Sequence, residues 1–433
     1  MTNHQARDRL EQALDRIADP KGEGARACLT VYPERSRTAA DAADARARGG
    51  MALGPLDGAI VSIKDLFDVA GEATRAGSKV LAEEAAPAAR DAPVVRRLLA
   101  GGAVIVAKTN MSEFAFSGIG ANPHYGTPGN PADRARVPGG STSGGAVAVA
   151  DRMCEIAIGS DTGGSTRIPA ALCGIVGLKP SKPRIPTEGA FPLSYTLDSI
   201  GPMAATVADC ARADAIMASE DYSPPEPAPL AGLRLGIVQG LPLADLDETV
   251  SARFAAALAS LGKAGVRLTE ETLAALADVA QANQKGGFAP PEAYSIHRAR
   301  LERRADDVDP NVRFRIERGR GMSAADYVDL VMARGRLVRS MDARLADLDA
   351  LVMPTTPIVA PTNAEVAARE TFAAKNALLL RNTALVNFFD LCAISLPLPR
   401  AGGLPVGLML VAQHGHDRRL MRIAAAVEKL LAG

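Results

Sequence analysis

Residues 139–145 read Gly-Gly-Ser-Thr-Ser-Gly-Gly and run without a break into Ala-Val-Ala-Val-Ala. Four glycines in seven positions permit turns and close backbone approaches that side chains forbid. A free linker of this composition would be flanked by polar sequence. Here an apolar stretch follows at once, so the loop leads into a helix. A P-loop needs GxxxxGK[ST] with a lysine that reaches the phosphates, yet Gly145 is followed by Ala146 and Val147 and no lysine is near. The dinucleotide pattern GxGxxG fails too, because Gly139 and Gly140 are adjacent and Ser141 takes the third place.

The rest of the chain alternates between short apolar strands and helices. Residues 4–18 have the period of an amphipathic helix, with Leu10, Leu14 and Ile17 on one face. A second helix is expected at about 37–49. The run 58–65 is a buried strand ending at Lys64, and 92–110 is helix, Gly-Gly turn, then strand. The theme recurs at 155–165, an apolar strand entering a glycine loop. Thr206 and Asp209 stand in capping-box spacing before a helix. Four prolines make 223–232 an extended connector, 233–240 restarts a strand, and 349–362 is a strand entering a proline-rich loop. The span of about 240–346 is mostly helical. The last helix carries Leu420, Ile423, Ala424, Val427 and Leu431 on one face. This alternation predicts one large α/β domain over 1–433, with a core at about 54–211 and a helical lobe at about 240–346 that sets substrate choice.

Composition narrows the function. Lys plus Arg and Asp plus Glu both number 49 in the 433 residues. The net charge near zero argues against nucleic acid or an anionic membrane as the main partner. Trp is absent and aromatics are 4%, which leaves no stacking platform for single strands. Five dispersed cysteines without CxxC spacing read as reduced thiols, with neither a disulfide frame nor a metal site. With no apolar signal core at the start and no run of about 18 apolar residues, the expectation is a cytoplasmic protein without a membrane span.

Hydrolysis needs a nucleophile, a proton carrier and an oxyanion site. None of the five histidines (4, 124, 297, 414 and 416) completes a Ser-His-Asp set. A lysine base is the alternative. At an ordinary pKa of about 10.4 only about one lysine in 2,500 is neutral at pH 7, and making half of it neutral there costs about 4.6 kcal/mol, which burial can supply. The apolar strand ending at Lys64 is a plausible place for that. Consecutive Gly163 and Gly164 let backbone N–H groups converge on one point, as an oxyanion hole requires, and Ser165 follows directly. Ser165 could equally cap the helix that begins after it.

Taken together, these residues resemble the amidase signature family. The resemblance centres on VPGGSTSGGAVAVADRMCEIAIGSDTGGSTRIPAALCGIVGLKPS (137–181). GPLDGAIVSIKDLFDV (54–69), AKTNMSEFAF (107–116), LDSIGPMAATVADCA (197–211), VMPTTPI (352–358) and GLPVGLMLV (403–411) support it in order. It implies a mixed, mostly parallel sheet covered by helices, and amide hydrolysis by a Ser–Ser–Lys triad without a cofactor or metal. Carried over, Ser165 matches the nucleophile. Ser141 matches the bridging serine, which follows a cis peptide bond in the family, and Lys64 matches the base. The N–H groups of Thr162, Gly163, Gly164 and Ser165 would form the oxyanion hole. The chain departs from the common Ser-Ser-Gly-Gly-Ser order at Thr142 and Ser143.

The family's pocket wall falls on Ala115, Phe116 and Ser117. The Arg-rich segment 311–321 offers either a carboxylate-binding site or a solvated helix face. The implied partner is a small-molecule amide, or a urea-like one, with a homodimer as the oligomer to test for. Two rival readings are the glutaminase (A) subunit of a tRNA-dependent amidotransferase, and a non-catalytic scaffold of the same fold.

Overall fold

The computed structural model describes residues 5–400 and 402–432. His4 lies outside them. Eleven strands form one sheet: β1 (Cys28–Val31), β2 (Ile60–Lys64), β3 (Val104–Thr109), β4 (Ile156–Asp161), β5 (Val176–Lys179), β6 (Ser199–Ala204), β7 (Arg234–Val238), β8 (Arg267–Glu271), β9 (Ala350–Pro354), β10 (Cys392–Pro397) and β11 (Gly407–Ala412). Their spatial order is β1-β3-β2-β4-β6-β5-β10-β11-β9-β7-β8. Helices cover both faces, so β2, β3 and β4 are buried along their whole length, as an apolar run without alternation requires.

The sheet is mixed, but the expected parallel majority does not hold. Pairings β2/β3, β2/β4, β7/β8 and β7/β9 run parallel. The other six pairings are antiparallel. Parallel neighbours need a crossover long enough to carry a helix. The β2–β3 link supplies one with helices Lys79–Glu84 and Pro93–Ala100. The loop from β10 to β11 is too short for that, and those strands return as an antiparallel pair.

Most local expectations find an element close to their bounds. The N-terminal helix is Ala6–Ala18 and the second is Pro33–Arg48. Thr206 caps helix Val207–Ala218, its Oγ1 accepting the Asp209 N–H at 3.1 Å. Strand β1 has no counterpart in the sequence reading, since four edge residues, of which only Cys28 is buried, carry little pattern. In the span 240–346, helix Glu248–Lys263 and β8 form a β7–β8 crossover against the sheet. Helices Ala275–Ala282, Ala289–Arg304, Pro310–Glu317 and Ala324–Leu345 follow. All five cysteines are free and buried. Among the described residues no helix is long and apolar enough to cross a membrane.

Candidate active site

The site lies at the carboxyl ends of β2 and β4, where ligands gather in sheets with parallel neighbours. The β2/β4 register pairs Val61 with Ile156 and Ile63 with Ile158. Lys64, directly after Ile63, and Ser160 and Asp161, after Gly159 on the other strand, therefore emerge at the same end of the pair. Lys64 is fully buried, and its Nζ donates to Ser160 Oγ at 2.9 Å. Nζ also lies 2.7 Å from Ser141 Oγ. No ion pair involves Lys64 among the described residues. Burial pushes its pKa down to about 7, against the opposing pull of Asp161 and Asp198.

The glycine loop carries Ser141 to that point. Gly139 adopts φ +82°, and the Gly140–Ser141 peptide bond is cis. A Cβ on Gly140 would sit 2.6 Å from the Gly120 nitrogen, so the close approach of the two loops needs glycine. The Gly140 N–H donates to the Gly118 carbonyl at 2.8 Å, and the Ser141 carbonyl accepts from the Ser112 N–H at 3.0 Å. Helix Ser143–Ala150 follows directly. The Thr142 N–H donates to the Ser165 carbonyl at 3.3 Å and ties this loop to the next. The hydroxyls of Thr142 and Ser143 are buried without partners among the described residues.

The loop 162–166 is folded around the buried Asp161 carboxylate. Asp161 accepts from the Gly164 N–H (2.8 Å), the Thr166 N–H (3.1 Å) and Thr166 Oγ1 (3.0 Å). It also pairs with the equally buried Arg167 at 2.8 Å and accepts from Asn387 Nδ2 at 2.8 Å. Burial alone would raise the Asp161 pKa, but the Arg167 guanidinium prevails and holds it well below the usual carboxylate range. Thr162 Oγ1 donates to Asp198 at 2.6 Å, and the Gly163 carbonyl accepts from Thr383 Oγ1 at 2.6 Å. Ser165 is 4% exposed. It does not cap a helix: Thr166 takes the N-cap position of helix Arg167–Cys173, and no side chain caps that helix. No hydrogen bond engages Ser165 Oγ among the described residues.

The Gly164 N–H, expected at the oxyanion site, is taken by Asp161. The N–H groups of Thr162, Gly163 and Ser165 donate to no group among the described residues. A side chain at Gly163 would meet Leu380 at 3.3 Å.

A cavity of ≈ 430 Å³ reaches Ser160, the acceptor of Lys64 Nζ, and is walled also by Ala115, Phe191, Asp198 and neighbours in 187–200. Of the three expected wall residues, Ala115 lines it. Ser117 instead braces its own loop, donating to Asn376 Oδ1 at 3.2 Å and accepting from the Ile119 N–H at 3.1 Å. Phe116 lies beneath the Arg315 guanidinium. Among the described residues no histidine hydrogen-bonds to Lys64, Ser141 or Ser165. His297 packs against Phe114 and Phe191, where burial and then Arg300 push its pKa down to about 3. His124 approaches Glu113 at 3.2 Å, and His414 and His416 are exposed. Among the described residues no group of three or more His, Cys, Asp or Glu could hold a metal.

The sequence reading missed Ser160, Asp161, Arg167, Asp198 and Asn387. A charged residue at the end of an apolar strand was a usable signal for Asp161. Nothing local pointed to Asn387, which is 226 positions from it.

The amidase family profile matches residues 8–421. The chain belongs to the amidase family. It is 37% identical over 404 residues to 2-amino-5-chloromuconic acid deaminase of Comamonas testosteroni, covering 92% of this chain and 87% of that one. It is 34% identical to the glutamyl-tRNA(Gln) amidotransferase A subunit of Synechococcus sp., over 98% and 94% of the two chains. A crystal structure of an amidase superposes with a TM-score of 0.88 at 31% identity, covering 99% and 96%. The chain is therefore an amidase-family hydrolase of C–N amide bonds on a single α/β domain.

The Asp161–Arg167 pair holds the family's glycine-serine loop in place, which gives a stability prediction. Arg167→Met leaves a buried carboxylate without its cation, and unfolding in urea is expected to show a loss of about 3–5 kcal/mol. A loss below about 1 kcal/mol would mean that Asn387 and the loop N–H groups suffice to hold Asp161.

Proposed function

We propose that this amidase cleaves a small carboxylic or urea-like amide through an acyl-enzyme on Ser165, with Ser141 as proton relay and Lys64 as base. One observation carries the reading: a fully buried lysine without an ion pair stands 2.7 Å from Ser141 Oγ, on the loop bonded to Ser165. A lysine neutral near pH 7 can accept a hydroxyl proton there and still donate to Ser160.

In the first half-reaction Lys64 Nζ takes the Ser141 proton while Ser141 Oγ takes that of Ser165. The Ser165 oxygen bonds to the amide carbon, and the carbonyl electron pair moves onto oxygen. The free N–H groups of Thr162, Gly163 and Ser165 are the donors assigned to that oxyanion. The relay then returns the proton to nitrogen, and the C–N bond breaks with release of ammonia or an amine. Water attacks the ester in the second half, losing its proton to the same relay, and the acid leaves as Ser165 regains its hydrogen.

The cavity beside Ser160, with its wall at Ala115, is the space assigned to the substrate. The helices from 275 to 345 are assigned to substrate choice. The test is ammonia release by the purified chain over glutamine, malonamate, biuret, allophanate-type ureas, and aryl and fatty amides. Turnover of at least one compound by the chain alone is expected. The second reading, a glutaminase component of an amidotransferase, is supported by the 34% identity to the Synechococcus protein. It requires that glutamine be the substrate and that activity depend on copurifying partners.

A further inference from the structure

Arg315 sits on helix Pro310–Glu317. Its guanidinium carbon lies 4.5 Å from the centre of the Phe116 ring. The residue is half-buried, but its Nε is shut off from solvent and has no hydrogen-bond partner. Neither an ion pair nor a hydrogen bond engages any Arg315 side-chain nitrogen among the described residues. The contrast with nearby charges is sharp. Arg313, on the same helix, pairs with Asp306 at 2.7 Å. Two acids close in sequence to Arg315 and Phe116 are already used: Asp309 accepts from the Asn311 N–H, and Glu113 accepts from the Asp309 N–H. The fully buried Arg167 has Asp161 and Asn387 around it. Burial, then Arg318, push the Arg315 pKa down to about 10, which still leaves it charged at neutral pH.

A guanidinium whose Nε is shut off from water with no anion beside it is unfavourable, because buried charges are normally paired, and a ligand anion would supply the missing partner. The position agrees with that. Phe116 belongs to the loop that wraps Ser141. Ala115 lines the cavity shared with Ser160, the Ser112 N–H holds the Ser141 carbonyl, and the Gly118 carbonyl holds the Gly140 N–H. Stacking on an aromatic face fixes the plane of the guanidinium and leaves its edge to bind a planar anion at two points.

We infer that Arg315 binds a carboxylate on the substrate, so that the amides cleaved at Ser165 are small molecules carrying a carboxylate. This rests on the proposed Ser165 chemistry and adds the substrate class.

The experiment compares malonamate and succinamate, each against its neutral methyl ester, with the ratio of kcat/KM for acid over ester as the readout. The wild-type chain is expected to favour the acids. Arg315→Gln should shrink that ratio on the order of tenfold to a hundredfold, the range for a lost charge-assisted pair. Arg315→Lys, which keeps the charge and loses the two-point edge, should fall between. Arg313→Gln should keep the wild-type ratio. In parallel, malonate and succinate should slow fluorophosphonate labelling of Ser165 in the wild type, and more weakly in Arg315→Lys. Should Arg315→Gln fail to fold, the lysine variant and the protection assay decide. An acid-to-ester ratio unchanged by substitution at Arg315, or a wild type that prefers the esters and gains no protection from dicarboxylates, overturns the inference. Either result leaves the acyl-enzyme reading intact. That reading falls separately if Ser165 does not label and Ser165→Ala keeps its turnover.

Discussion

Ser165→Ala is expected to lower kcat on an amide substrate by about 10⁴–10⁶, the range in which a nucleophile working as part of a unit loses its function. The variant should also lose labelling by a fluorophosphonate. Its fold should persist, because Ser165 Oγ makes no hydrogen bond among the described residues and caps no helix. The loop backbone is held instead by Asp161 through Gly164 and Thr166. A Tm within about 2 °C of wild type is therefore expected. Residual activity near the wild-type level would move the nucleophile elsewhere, and Ser141 would be the first candidate. A rate measured beside the labelling result separates loss of the attacking group from collapse of the loop.

Lys64→Met is the second large effect. Removing the base should cost about 10²–10⁴ in kcat/KM and should also change the pH profile. With the wild-type lysine at about 7, the neutral form that accepts a proton is scarce below that pH and dominant above it. The wild-type kcat/KM should therefore rise with pH through about 7 and then level, while the profile of the variant loses that rise. The substitution should move stability in the opposite direction to activity. The folded-state pKa of Lys64 is depressed below its unfolded value of about 10.4, so the unfolded chain binds the proton more tightly. The resulting penalty is full below about pH 7 and fades as pH climbs toward the ordinary lysine value. Methionine removes it, so Lys64→Met should melt at a higher temperature than wild type at pH 6, with the gap narrowing toward pH 10. An unchanged pH profile would exclude Lys64 as the base, and a destabilised variant would show that its hydrogen bonds to Ser141 and Ser160 outweigh its desolvation.

The strand ending at Lys64, the two glycine loops and the placing of Ser141 and Ser165 within them were legible without coordinates. Each is a local property: an unbroken apolar run marks a strand buried on both faces, and adjacent glycines mark backbone that must turn sharply or pack closely. Other features depended on which segments meet. Gly164 looked like an oxyanion donor from its neighbours, but its N–H faces Asp161. Asp161 is held by Asn387 from the far end of the chain. The strand pairings also came out less parallel than the α/β alternation suggested. The guanidinium of Arg315 belongs to an ordinary basic run, beside Arg313, Arg318 and Arg320, until the fold lays it on Phe116.

The sequence by itself determined where the backbone bends and which chemical groups stand at those bends, because glycine freedom and hydrophobic period act over a few residues. Only the tertiary structure decided which donors stay free, which charges find partners and which lysine is stripped of water. Those outcomes depend on contacts between residues up to 226 positions apart, selected by packing of the whole sheet and its helices.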